Sequence, residues 1–111
     1  SAEAVFEEAT VALGELLAEG PGEPVERELR VSAQDLPSLL AEWLGELIYL
    51  AETDAFIPER ALWIELSEDS AAGTVAGQRC APQALVKGVT YHGLQLRSED
   101  GVWHGHVVLD V

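Results

Sequence analysis

The first stretch of the chain alternates on a helical period. Val5, Phe6, Ala9, Ala12, Leu13, Leu16 and Leu17 recur at spacings of three and four, so Ala2 to Glu19 is predicted to be an amphipathic helix with one apolar stripe. Gly20-Pro21-Gly22 ends it, since neither residue type sustains a helix. From Pro24 to Val31 the period shortens to two. Val25, Leu29 and Val31 lie on one face and Glu26, Glu28 and Arg30 on the other, the pattern of a half-buried strand. A second helix follows, with Ser32 or Asp35 as its N-cap and Pro37 in its first turn. Leu36, Leu39, Leu40, Trp43, Leu44, Leu47, Ile48 and Ala51 form a stripe broad enough to be buried along most of its length, and Thr53 to Pro58 breaks it.

Beyond Ala61 the period is that of strands throughout. Ala61 to Leu66 and Ala72 to Gln78 flank an acidic turn at Ser67-Glu68-Asp69-Ser70. Leu85 to Arg97 and Val102 to Val111 flank Ser98-Glu99-Asp100-Gly101, where Asp-Gly signals a hairpin. Gly88 and Gly93 mark expected bulges, because the apolar residues change face along that strand. Helix, strand, helix and four strands predict an α+β fold, with two amphipathic helices on one face of an antiparallel β-sheet. At 111 residues the chain is expected to be one domain, 1–111, with no internal repeat.

Charge narrows the partners. Twenty acidic side chains against six basic ones give a net charge of −14, and Lys87 is the only lysine. Phosphate backbones are bound by clustered Lys and Arg, so direct nucleic-acid binding is not expected, whereas a basic protein surface would be attracted. No apolar run approaches the roughly 20 residues needed to cross a bilayer, and no signal-peptide pattern is present. The single cysteine, Cys80, cannot form an internal disulfide, which fits a reducing cytoplasm. Its Gln-Arg-Cys-Ala-Pro context holds no activating partner, so an inert thiol is expected.

The chain contains no glycine-rich phosphate loop, no cysteine pair at metal spacing and no Gly-x-Ser-x-Gly elbow. The last strand carries the remaining candidates. Trp103, Val107, Leu109 and Val111 share the parity expected to face the core, and His104, His106, Val108 and Asp110 share the other. His104 and His106 with Asp110 could ligate zinc and activate a water for hydrolysis, although polar residues alternate with apolar ones on any half-buried strand. Asp110 beside the carboxylate of Val111 is a better anionic pair for a hard cation such as calcium or magnesium, weak without further ligands. Lys87 is either a charge guarding a strand edge or a counter-ion to Asp110.

Three segments resemble the archease family in order and spacing: Val-Lys-Gly-Val-Thr-Tyr-His-Gly-Leu at 86–94, Val-Val-Leu-Asp-Val at 107–111, and Leu-Leu-Ala-Glu-Trp-Leu-Gly-Glu-Leu-Ile-Tyr-Leu at 39–50. Val5-Phe6-Glu7-Glu8-Ala9 with Ala12-Leu13 is similar to the family's first helix. The resemblance implies an accessory protein, not an enzyme, that promotes guanylylation and repeated turnover of an RtcB-type GTP-dependent RNA ligase in tRNA splicing. A general chaperone of RNA-modifying enzymes is the alternative it implies. It also implies a calcium site using Asp110 and the carboxylate of Val111, and functional roles for Lys87, Thr90 and His92. Archeases open with a strand bearing a His-Thr-Ala-Asp-like motif that supplies another aspartate ligand. That motif is absent from these 111 residues, so the metal site is expected to be incomplete and a sheet edge to be exposed.

Overall fold

The computed structural model describes residues 1–17, 21–82 and 86–111. The elements run in the order α1 (Ala2–Leu17), β1 (Glu23–Ser32), α2 (Leu36–Asp54), β2 (Phe56–Leu66), β3 (Ser70–Arg79), β4 (Gly88–Glu99) and β5 (Val102–Asp110). The α+β class is as predicted. The antiparallel strands divide into two sheets rather than one, β1-β3-β2 and β4-β5, and the helices pack against both. The expected helix end at Glu19, its breaker Gly20 and the expected strand start at Leu85 lie outside the described residues.

β3 is the central strand, and its core face carries only small or slim residues: Ala71, Gly73, Val75 and Gly77 are all buried. That leaves room for α2 to settle its largest side chain on the sheet. Trp43 is fully buried, and a Cβ at Gly73 would come within 3.1 Å of its ring. Phe6 of α1 meets Trp43 edge to face, with centroids 6.2 Å apart. Thr10, one turn beyond Phe6, closes the arrangement. Its hydroxyl accepts a 3.0 Å hydrogen bond from the Trp43 indole N–H and donates a 2.8 Å bond to the Phe6 carbonyl. Every polar atom in this cluster is thereby satisfied, as burial requires.

The stripe of α1 is consequently rotated from the one expected. Phe6, Thr10, Leu13, Gly14 and Leu17 face inward. Ala12 and Leu16 are exposed instead, and they border a groove of about 480 Å³ between α1 and the Trp103 and Leu109 side of β5. The displacement traces to Gly14. A Cβ there would overlap the Pro58 carbonyl oxygen, so only glycine lets α1 ride this close to β2.

α2 begins as its residues dictate. The Asp35 carboxylate accepts a 2.8 Å hydrogen bond from the Ser38 N–H, which satisfies one orphan donor of the first turn. At the other end Ala55 adopts a left-handed conformation, φ 55°, and returns its N–H to the Leu50 carbonyl. That single residue reverses the chain directly into β2. The strand therefore starts at Phe56, five residues before the expected Ala61, and takes Phe56, Ile57 and Pro58 into the core. Pro58 is tolerated because β2 is an edge strand with a register shift at Pro58/Arg60, where a missing N–H breaks no ladder.

The second hairpin turns at Asp100 and Gly101, whose positive φ values of 52° and 78° fit the twist of the paired strands. Its irregularity lies between Thr90 and Gln95, around Gly93. Gly88 makes no bulge; it pairs regularly with Asp110. Trp103, Val107 and Leu109 pack against the core as expected, whereas Val111 is 75% exposed because the ladder ends at Asp110 and nothing covers the next residue.

Two predictions follow from the helix contacts. Thr10→Val leaves the buried indole N–H without an acceptor and is expected to cost about 1–3 kcal/mol in urea unfolding, while Thr10→Ser retains most of the stability. The Ser38 hydrogen bond holds the Asp35 carboxyl below its ordinary value of 3.8. A lowered folded-state pKa contributes stability above the unfolded value and loses it as pH falls through the folded one. Asp35→Asn keeps an acceptor but does not titrate, so its urea midpoint should decline less than that of the unmodified chain between about pH 5 and pH 2.

Candidate functional site

The candidate residues of the two motifs meet at the open end of the β4–β5 hairpin. Gly88 pairs with Asp110, Val89 with Leu109 and Thr90 with Val108. Just ahead of that ladder the Lys87 backbone N–H donates to the Asp110 carbonyl at 2.7 Å. Residues 23 positions apart in sequence thus share one corner, where Lys87, Asp110 and Val111 are all exposed. Thr90 lies two rungs inward and is half-buried; its hydroxyl accepts a 3.3 Å hydrogen bond from the His92 N–H. His92 itself is exposed within the irregular stretch of β4. The corner therefore gathers Lys87, Asp110 and Val111, with Thr90 adjoining and His92 further along the strand.

Oxygen donors of this kind suit a hard cation, but calcium takes about six to eight oxygens. Two neighbouring carboxylates supply at most about four. Among the described residues, no group of three or more His, Cys, Asp or Glu side chains is placed to hold a metal ion. The residues present do not by themselves make up a cation's ligand set.

His104 and His106 are exposed on β5, opposite Arg97 and Gln95. The His106 ring donates from Nδ1 to the Gly93 carbonyl at 3.0 Å, an interaction that pins the irregular stretch of β4. The guanidinium-bearing residue across from His104, itself paired with Glu99, opposes a cation there.

One functional-looking contact escapes any reading of spacing. Tyr91, beside Thr90, reaches across to α2 and donates its hydroxyl to the Glu42 carboxylate at 3.0 Å. Desolvation, then the Glu42 bond and the charges of Glu42 and Asp35, push this phenol above its ordinary value. The two residues are 49 positions apart, and only the packing of β4 on α2 brings them together.

Known proteins resemble this chain in sequence and in fold. The model of the archease protein family matches residues 1–111. Protein archease of Methanosarcina mazei is 32% identical over 120 residues, covering 98% of this chain and 82% of the relative. That of Methanothermobacter thermautotrophicus is 29% identical over 119 residues, covering 98% and 84%. Among solved structures, a Methanobacterium thermoautotrophicum protein superposes with a TM-score of 0.72 at 27% identity, over 100% of this chain and 86% of that one. A Thermotoga maritima archease, described as a possible chaperone, does so at 0.73 and 21% identity, over 100% and 84%, which bears on the fold alone. With its full length matched by the family model and its two helices set against antiparallel sheets in the same way, this chain belongs to the archease family.

Proposed function

We propose that this chain is a cytoplasmic accessory protein that activates an RtcB-type GTP-dependent RNA ligase, promoting its guanylylation and repeated turnover in tRNA splicing. One observation carries the reading. Lys87 of the Val86–His92 motif and Asp110 and Val111 of the closing Val107–Val111 segment are exposed together at one corner, which the Lys87–Asp110 backbone bond closes. An exposed lysine beside an exposed carboxylate pair is suited to meeting another molecule at its surface.

Charge supports the same partner. A ligase that holds two RNA ends needs a basic groove, and a chain of net charge −14 is steered towards such a surface. The same charge keeps the chain itself off RNA. Asp110 and the carboxylate of Val111 contribute oxygens to a calcium site that further ligands must complete; no step of the activation is derived from that ion. A second reading, a general chaperone of RNA-modifying enzymes, draws on the description of the Thermotoga maritima archease as a possible chaperone. It differs in predicting binding to several unrelated basic enzymes.

The test is ligase turnover with substoichiometric amounts of this chain, with calcium and with a chelator. Multiple turnovers are expected with the unmodified chain. Asp110→Ala, or a peptide extension after Val111, should lower the stimulation by at least about tenfold, the range seen when a ligand or its support is lost. Full stimulation by the extended chain would remove the Val111 carboxylate from the site. No stimulation by the unmodified chain under either condition would sink the activator reading.

A further inference from the structure

α2 has a second side, away from its buried stripe, on which Glu42 and Tyr49 are exposed and Gly45 and Glu46 half-buried. Counted at about 100° per residue, Asp35, Glu42, Gly45, Glu46 and Tyr49 fall on one side of the helix. Tyr49 is 58% exposed and Tyr91, hydrogen-bonded alongside at Glu42, is 53% exposed. Tyrosines are enriched at recognition surfaces, where they supply large, partly polar contact area.

Gly45 adds an independent anomaly. A glycine in the middle of a helix weakens it relative to any ordinary residue. Where the fold demands one, a Cβ would collide with something, as at Gly14; at Gly45 it would meet nothing within 4 Å. At Gly45 the backbone between Glu42 and Tyr49 has open space above it, which a partner group can approach closely.

Among the described residues, no ion pair reaches the carboxylates of this face. α2 contains Glu42, Glu46, Glu52 and Asp54 and no lysine or arginine. Arg27, Arg30, Arg60 and Arg79 belong to the three-stranded sheet, and Arg97 is paired with Glu99. Phosphate would be repelled. A guanidinium would be accepted in three ways at once, by stacking on a tyrosine ring, by bidentate bonds to a carboxylate, and by close approach over the glycine. The Tyr91–Glu42 hydrogen bond holds one ring and one carboxylate in place beforehand, which lowers the ordering cost of binding.

We propose that this face of α2, with Tyr91 beside it, docks an arginine-bearing protein surface. Resting on the activator reading above, that surface is the ligase's own. The hairpin corner is then the acting end of the chain, and α2 the part that grips.

The experiment measures the affinity of this chain for a purified RtcB-type ligase by calorimetry, after circular dichroism shows each variant folded. Glu42→Arg/Glu46→Arg is expected to weaken binding at least tenfold. Glu7→Arg/Glu15→Arg, an equal change of charge on the outer side of α1, should stay within about twofold because exposed charges beyond a Debye length are screened. Gly45→Gln keeps the charge and should melt no lower than the unmodified chain, yet bind several-fold more weakly. Equal weakening by both double variants would reduce the effect to net charge and overturn the proposal. So would unchanged affinity for Glu42→Arg/Glu46→Arg or for Gly45→Gln, with the activator reading left standing. If the unmodified chain itself fails to bind the ligase, the activator reading falls and the docking face falls with it.

Discussion

The hydrogen bond from the Trp43 indole to the Thr10 hydroxyl sets the relation of the two helices, and much else depends on it. Burying a tryptophan completely removes a large apolar surface from water but strands one N–H, which must find an acceptor. Thr10 supplies it from α1, and Phe6 packs on the ring from one turn earlier. α1 is thereby locked in rotation, with Gly14 against β2 and Leu17 in the core. On the other side the same ring lies on the small-residue face of β3, so one side chain joins both helices to the three-stranded sheet. α2, fixed in this way, then carries β4 and its hairpin on its flank.

The elements written in local chemistry were legible in the sequence. The cap at Asp35, the stripe of α2, the alternation of β1 and the Asp100-Gly101 turn all follow from residue type and spacing, and the structure has them. Three features were not legible, each because a tertiary contact outweighed a local signal. The break of α2 before Pro58 holds, but the start of β2 at Phe56 was not legible, because an edge strand accommodates the proline. Thr10 lies outside the apolar positions that define the α1 stripe, yet it is the acceptor the core requires. The division into two sheets is a matter of long-range pairing that no periodicity encodes.

The site was legible in a different sense. Spacing alone left Lys87 as either an edge guard or a counter-ion, and the pairing of the motifs came from the family resemblance. The structure brings Lys87 and Asp110 to one corner and sets His92 apart on the irregular part of β4. The Tyr91–Glu42 contact had no signal in the chain, since each residue reads as an ordinary surface position until β4 is laid on α2. The groups with displaced titration are a helix cap and a surface phenol bound to a carboxylate. Each is held by a hydrogen bond, Asp35 to the Ser38 N–H and Tyr91 to the Glu42 carboxylate.

On the proposed function, this chain acts on the covalent guanylate step of a ligase and contributes no chemistry of its own. The direct measurement is the pre-steady-state rate of ligase–guanylate formation from radiolabelled GTP, followed without RNA, with and without the chain. A rate that rises with chain concentration and saturates is the predicted result. An unchanged guanylylation rate, in a mixture where RNA joining is nevertheless stimulated, would contradict it and place the chain's action at a later step.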